Sequence, residues 1–259
     1  MRRRGAVVGG GTAGLGEAIA QRLAADGTEL LLWSRSEQRL AEAAERISST
    51  HAVPVYTVAA DAGSPDAAAR VAEAAQRVLP SVDVLVLNAG GPKPCPPDRT
   101  DADDWRAALQ LLTITPIELA TRLLPGMRER GWGRVLAVLS SGVREPLPEL
   151  AYSNSGRAAL ASWLKTVGRH VAGDGVTVNG IVPGRIDTDR VAALDRAAAE
   201  RQGHDVAEVR RASEAGIPAG RYGRPEEFAA VAGFLCSDAA SYLTASLISC
   251  DGGLMRSLT

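Results

Sequence analysis

The stretch that decides the fold is Gly9-Gly10-Gly11-Thr12-Ala13-Gly14-Leu15-Gly16, close to the start of the chain. The apolar run at residues 6–9 predicts a β-strand, and the period of residues 14–25 predicts a helix. Glycines allow a tight turn, and the N-terminus of the following helix offers free N–H groups and a positive dipole end to a phosphate. The stretch therefore predicts a dinucleotide-binding turn between a strand and a helix.

The same alternation of strand and helix continues to the end of the chain. Further strands are predicted at residues 29–33, 53–59, 82–87, 134–139, 176–182 and 246–250. Further helices are predicted at residues 37–47, 65–78, 103–130, 150–171 and 225–235, with Pro116 expected to disturb the long one. This pattern predicts an α/β fold: one Rossmann-type domain over residues 1–259, with about seven parallel strands and helices on both faces of a doubly wound sheet.

Residues 185–221 carry no strand pattern and are rich in charge. We expect them to form a loop-plus-helix insertion over the carboxyl edge of the sheet, where ligands bind in this architecture. Substrate specificity is expected to lie in this insertion.

Composition limits the class of partner. The chain has 259 residues, a net charge of −1 and three scattered cysteines. A nearly neutral protein has no field to attract nucleic acid or an anionic membrane, and no stretch approaches the roughly 18 apolar residues of a membrane span. The cysteines form neither a disulfide framework nor a metal-ligand spacing. We therefore expect a cytoplasmic protein with a small-molecule substrate and no metal.

Other motifs follow the later strands in a defined order. Asp61 follows the third strand, Leu87-Asn88-Ala89-Gly90 the fourth, and Pro183-Gly184-Arg185-Ile186-Asp187-Thr188 the sixth. With the spacing Gly10-x-x-x-Gly14-x-Gly16, these motifs resemble the short-chain dehydrogenase/reductase family over residues 5–255, and the 3-oxoacyl-carrier-protein reductases within it. The resemblance implies a nicotinamide cofactor and a homodimer or homotetramer in which the helices at residues 103–130 and 150–171 pair.

The resemblance also implies which residues bind the cofactor. They are Gly10, Thr12, Gly14, Leu15, Gly16, Ser34, Arg35, Asp61, Asn88, Ala89, Gly90, Arg157, Pro183, Gly184, Ile186 and Thr188. The second strand ends in Ser34-Arg35 and carries no acid that would accept from a ribose 2′-hydroxyl. Because an arginine pairs well with a 2′-phosphate, we expect NADP(H) rather than NAD(H). A solvated arginine is the other interpretation.

The family's proton donor is a tyrosine followed four residues later by a lysine, and this chain has no such pair. A gapless match from Pro183-Gly184 back along the chain puts Ser153 at the tyrosine position and Arg157 at the lysine position. Ser140 retains the family's serine, and the asparagine position falls near Leu112. Serine is a poorer acid than tyrosine, while arginine stays charged and suits binding better than proton transfer.

Tyr152 leaves two alternatives open. It lies one residue before Ser153, about 100° around a helix. If the helix starts late, Tyr152 lies in the preceding loop and reaches the cleft as the acid beside Arg157. Otherwise it is a packing residue.

Three functions are consistent with these residues. The first is an NADP(H)-dependent oxidoreductase acting on a carbonyl/alcohol pair, such as a 3-oxoacyl thioester or a polyketide-like ketone, with Ser140 orienting the oxygen. The proton would come from Tyr152, or from water held by Ser153 and Arg157. The second is a cofactor-binding protein without redox turnover, and the third is a non-redox catalyst of dehydration or cyclisation.

Three arginines bear on the substrate. Arg144, Arg185 and Arg190 follow strands on the cofactor side and would line the cleft of an enzyme with an acidic substrate. Solvated arginines explain the same positions.

Overall fold

A computed structural model describes residues 3–258 as a parallel sheet with helices on both faces. The strands are β1 (Gly5–Gly9), β2 (Glu29–Ser34), β3 (Val55–Ala59), β4 (Val84–Leu87), β5 (Gly133–Val138), β6 (Val176–Pro183) and β7 (Leu247–Cys250). The α-helices are α1 (Gly14–Ala25), α2 (Glu37–Thr50), α3 (Ala67–Val78), α4 (Ala102–Leu109), α5 (Thr115–Glu129), α6 (Ala151–Val171), α7 (Asp189–Gln202), α8 (Val206–Ala215) and α9 (Pro225–Leu235).

The strand order is β3-β2-β1-β4-β5-β6-β7, and every neighbouring pair is parallel. The predicted doubly wound α/β fold is therefore confirmed. The chain winds outward in one direction up to β3 and in the other from β4, so the order reverses between β1 and β4. A crevice opens at such a switch point, at the carboxyl ends of the strands.

Two hydrophobic layers enclose the sheet. On one face Val71, Leu119 and Leu160 of three helices pack against it, and on the other face Ile19 and Phe228 do so. Every residue of β1 and β5 is buried, because both faces of a parallel sheet are covered. This explains why the strands appear in the sequence as continuous apolar runs and not as alternating patterns.

The long helix is interrupted by a π-helical turn over Gln110–Ile114. Here the N–H of Thr115 donates to the carbonyl of Gln110, five residues earlier. Pro116 follows at once and has no N–H to continue an α-helical ladder, so the disturbance expected there is observed, as a widened turn that leads into α5. The turn carries Leu112, which is 2% exposed.

The helical stretch at residues 102–129 is long and apolar enough to cross a membrane by length and composition alone. Its buried side chains, including Leu119, Leu123 and Met127, pack in the core beside the sheet. The packing is that of a core helix.

One sequence expectation was wrong in detail: the insertion at residues 185–221 contains two helices, α7 and α8, and not one. Helix α6 begins at Ala151, close to the predicted residue 150, so of the two alternatives for Tyr152 the late helix start is not observed.

A cluster at the start of β5 gives a test of packing. The guanidinium carbons of Arg4 and Arg134 lie 3.8 and 4.3 Å from the ring centroid of Trp132. The indole N–H of Trp132 donates to Asp238 at 2.8 Å. We expect Trp132→Leu to lower the free energy of unfolding by about 2 kcal/mol, because it removes two cation–π contacts and a charge-assisted hydrogen bond.

Trp132→Phe is the matched variant, since it keeps a π face and loses the indole N–H. Urea denaturation should show a loss of about half that of the leucine variant. Equal losses in the two variants would mean that the cations contribute nothing.

Candidate active site

In the turn between β1 and α1, the glycine positions disfavour a side chain. Gly10 and Gly14 adopt positive φ values of 59° and 54°, which favour glycine. A Cβ on Gly16 would lie 2.2 Å from the carbonyl oxygen of Gly10. No side chain caps the N-terminus of α1, whose N-cap is Ala13. The first N–H groups of α1, including that of Leu15, are therefore left to an anion or to solvent.

Asn88 joins this turn to the neighbouring strand across the switch point. Its side-chain N–H donates to the carbonyl of Gly9 at 3.1 Å. The same nitrogen would lie 2.7 Å from a Cβ on Gly16. Beyond it, a Cβ on Gly90 would meet no atom within 4 Å, so open space begins there. Asn88 therefore fixes the turn after β1 relative to the end of β4, on one side of the crevice.

The loop after β6 forms the opposite side. Thr188 caps α7, accepting from the N–H of Val191 at 3.4 Å. A Cβ on Gly14 would lie 3.6 Å from the methyl carbon of Thr188, so the two loops face each other. Pro183 ends β6, Gly184 donates to the carbonyl of Cys250, and Ile186 is buried.

The end of β2 carries polar groups without partners among the described residues. The hydroxyl of Ser34 is buried and makes no hydrogen bond. Arg35 next to it is exposed and forms no ion pair within residues 3–258. Asp61, after β3, accepts from the N–H of Gly63 at 2.9 Å. A free hydroxyl and a free guanidinium fit a phosphate ester at this edge.

Helix α6 brings two of the candidate catalytic residues together. The side chain of Arg157 donates to the hydroxyl of Ser153 at 3.3 Å and to the carbonyl of Val138, at the end of β5, at 2.9 Å. A third, longer bond reaches the carbonyl of Ala89 at 3.4 Å. Ser140, two residues after Val138, accepts from the N–H of Gly142 at 3.2 Å. Both serine oxygens act as acceptors in these bonds, which leaves their protons free.

Burial, together with the nearby positive charge of Arg190, lowers the pKa of Arg157 to about 10. The group is charged below that pH, so Arg157 stays a cation at neutral pH. Beside it lies a cavity of about 10 Å³, which is the space of roughly one water molecule. Leu112 and Trp33 line this cavity, so the leucine offers it no polar side chain.

The side chain of Tyr152 contacts α4 and not Arg157. Its hydroxyl accepts from the backbone N–H of Asp101 at 3.0 Å and donates to the carboxylate of Asp104 at 3.4 Å. Its ring meets Trp105 edge-on, with 4.8 Å between centroids. Only 3% of the residue is exposed, and burial raises the pKa of its hydroxyl. The structure thus does not bring Tyr152 together with Ser153 and Arg157, and it favours the packing alternative.

Asn154 belongs to this region and was missed in the sequence. Its amide N–H donates to the carbonyl of Leu147, while its amide oxygen is buried without a partner. A Cβ on Gly142 would meet that oxygen at 2.1 Å and the hydroxyl of Ser140 at 3.5 Å. No sequence signal marks Asn154, because its role depends on the turn at Gly142.

The three arginines proposed to line the cleft make different contacts. Arg144 donates to the hydroxyl of Ser249 and to the carbonyl of Leu247, so it fastens β7. Arg185 pairs at 2.8 Å with Asp195, which is 2% exposed and also accepts from Tyr222. A second pair, Arg210 with Asp187, fastens α8 to the same loop. Arg190 is exposed and forms no ion pair among the described residues.

A family model described as enoyl-(acyl carrier protein) reductase matches residues 10–255. The chain belongs to the short-chain dehydrogenase/reductase family. A curated relative in this family, the 3-oxoacyl-[acyl-carrier-protein] reductase FabG of Aquifex aeolicus, is 30% identical and covers 96% of each chain.

Two other relatives extend the comparison. The NADPH-dependent reductase BacG of Bacillus subtilis is 30% identical over the full length of both chains. The solved L-sorbose reductase of Gluconobacter frateurii, in complex with NADPH and L-sorbose, superimposes with a TM-score of 0.94 at 31% identity, covering 100% of this chain and 98% of the other.

The turn at Gly16 gives a test of the cofactor site. We expect Gly16→Ala to weaken NADPH binding at least about tenfold, because the new methyl group meets a backbone carbonyl and the turn must move away from the phosphates. Titration of the variant with NADPH measures the dissociation constant.

Gly173→Ala is the matched control, since its Cβ would meet nothing within 4 Å. It should bind NADPH like the parent protein. Unchanged binding by Gly16→Ala would show that this turn does not hold the phosphates.

Proposed function

We propose that this member of the short-chain dehydrogenase/reductase family is an NADP(H)-dependent oxidoreductase that interconverts a ketone and an alcohol. The observation that carries the proposal is the position of Arg157, which donates to Ser153 and to the loop after β4, beside the glycine turn that Asn88 contacts. The substrate class that we propose is a 3-oxoacyl thioester or a polyketide-like ketone. The 3-oxoacyl reductase of Aquifex aeolicus supports the first choice.

The residues at the end of β2 support NADP(H) over NAD(H). The unpartnered hydroxyl of Ser34 and the unpaired guanidinium of Arg35 would hold a 2′-phosphate. The turn at residues 9–16 and the free N-terminus of α1 would hold the pyrophosphate. The names of two relatives, from Bacillus subtilis and Gluconobacter frateurii, also specify NADPH.

In this proposal each polar side chain has one task. The reduced nicotinamide, when bound, supplies the hydride. The hydroxyl of Ser140 donates a hydrogen bond to the carbonyl oxygen and orients it. Arg157 stays positively charged beside that oxygen and stabilises the negative charge that develops there. A water molecule held by Ser153 and Arg157 supplies the proton to the oxygen.

The contacts of Tyr152 also favour a second candidate. The hydroxyl of Tyr152 is hydrogen-bonded at the N-terminus of α4, so this tyrosine does not act as an acid in the cleft. The family's usual proton donor is a tyrosine, and Ser140, Ser153 and Arg157 include none. A cofactor-binding protein without redox turnover, or a catalyst of dehydration or cyclisation, needs no such acid. Binding of NADPH without turnover would support this candidate.

Two further properties are part of the proposal. We infer a cytoplasmic homodimer or homotetramer, in which the outward faces of the helices α4, α5 and α6 pair. Ile114 on this surface is 43% exposed, which is compatible with a covered position in an oligomer.

The first experiment measures oxidation of NADPH with a panel of ketones and 3-oxoacyl thioesters, with NADPH binding measured alongside. We expect turnover, and we expect Ser153→Ala to lower kcat about tenfold or more because the proton-supplying water loses a partner. Ser155→Ala, at an exposed position of the same helix, is the control and should leave kcat unchanged. Tight binding with no turnover on any compound would contradict the reductase.

A second experiment tests the role of Tyr152. Tyr152→Phe should leave kcat and its pH profile unchanged, because the hydroxyl, with its raised pKa, stays protonated through the neutral range and faces α4. It should lower the free energy of unfolding by about 1 kcal/mol, since the N–H of Asp101 loses its acceptor. A large fall in kcat at unchanged stability would show that Tyr152 takes part in catalysis.

A further inference from the structure

Two arginines from different helices converge on the loop after β4. Arg157 of α6 donates to the carbonyl of Ala89 at 3.4 Å. Arg190, in the first turn of α7, lies over Gly91, where a Cβ would be 3.3 Å from its guanidinium nitrogen. Only Gly90 separates the two contacted residues along the chain. The two positive charges therefore lie near the same loop, at the mouth of the crevice.

Neither arginine has a carboxylate partner in the part of the chain that the structure describes. In the same insertion Arg185 pairs with Asp195 at 2.8 Å and Arg210 with Asp187 at 2.9 Å. The exposed Arg196, Arg201 and Arg211 form no ion pair among the described residues, so it is the nearness of Arg190 to the buried Arg157 that sets it apart. Within residues 3–258, no carboxylate oxygen lies within 4.0 Å of either Arg157 or Arg190. The hydrogen bonds of Arg157 go to neutral oxygens, so its charge is left uncompensated.

Arg190 is exposed, but burial disfavours the charge on Arg157, and the like charge of Arg190 adds to that cost unless an anion joins them. Burial lowers the pKa of Arg157, and repulsion from the positive charge of Arg190 lowers it further. The phosphates of a dinucleotide have their own partners in the proposed function, at the N-terminus of α1 and at Arg35. The anion that belongs between Arg157 and Arg190 is therefore a part of the substrate.

We propose that the substrate is an oxo acid whose carboxylate is bound by Arg190 beside Arg157. Arg157 contacts both Ser153 and the loop under Arg190, so a small molecule can present its carbonyl to the serine side and its carboxylate to Arg190. A guanidinium binds a carboxylate through two parallel hydrogen bonds, which fixes the orientation of the carbonyl. This inference rests on the proposed function, because it names the substrate of that same crevice.

The test uses the full chain saturated with NADP⁺ and matched pairs of ligands. The probes are 2-oxo-4-phenylbutanoate and its neutral carboxamide, together with acetoacetate and levulinate and their carboxamides. Calorimetry measures the dissociation constant of each. We expect the acid of at least one pair to bind about tenfold or more tightly than its amide, because the amide cannot form the charge-assisted pair.

Arg190→Gln should abolish this preference and leave NADP⁺ binding unchanged. Arg201→Gln is the control, because Arg201 is also exposed on α7, about 16 Å further along the helix, and should keep the preference. A preference that survives in Arg190→Gln overturns the proposal, as does the absence of binding by every oxo acid. Weakened NADP⁺ binding with an intact acid preference overturns it as well and assigns Arg190 to the cofactor.

The same ligands separate this inference from the proposed function. If Arg190→Gln loses the acid preference but no oxo compound is reduced by NADPH, the anion site stands and the reductase fails. If acids and amides are reduced equally well by the parent protein and by Arg190→Gln, the reductase stands and the anion site fails.

Discussion

The close approach of the turn after β1 to the end of β4 is the constraint on which the crevice depends. A Cβ on Gly9 would lie 2.4 Å from the carbonyl of Asn88, and one on Gly16 would lie 2.2 Å from that of Gly10. Only glycine fits at such distances, so backbone N–H groups and not side chains face the phosphate position. The bond from Asn88 to Gly9 then fixes the two strands' loops relative to each other. Since β1 and β4 are hydrogen-bonded neighbours where the winding reverses, the crevice follows from the topology.

One helix divides its faces between packing and chemistry. In α6 the side chain of Tyr152 turns towards α4, while Ser153, one residue later, faces Arg157 and the end of β5. Successive residues of a helix point about 100° apart, so this one-residue difference decides whether a hydroxyl serves the fold or the crevice. The tyrosine stabilises the N-terminus of α4, and the hydrogen bonds of Arg157 go to neutral oxygens.

The fold could be predicted because parallel strands are buried on both faces and appear as apolar runs. Helices α1 and α9 begin and end where the periodicity indicates, at Gly14–Ala25 and Pro225–Leu235. The π-helical turn before Pro116 and the division of the insertion into α7 and α8 could not be predicted, because they depend on tertiary packing. The unpartnered oxygen of Asn154 was likewise invisible, since it results from the path of the chain at Gly142.

The buried acid of the insertion has partners within the protein, whereas two arginines at the crevice have no acid partner among the described residues. The buried carboxylate of Asp195 has both Arg185 and the hydroxyl of Tyr222 as partners, so the insertion is fastened by satisfied groups. At the mouth of the crevice the balance is reversed, because Arg157 and Arg190 are cations without an acid among the described residues. Because Arg157 is buried, its uncompensated charge carries a cost in stability, and the neighbouring charge of Arg190 adds to that cost. In the proposed enzyme the carboxylate of the substrate offsets that cost, so these two arginines bear more directly on the substrate than any motif in the sequence.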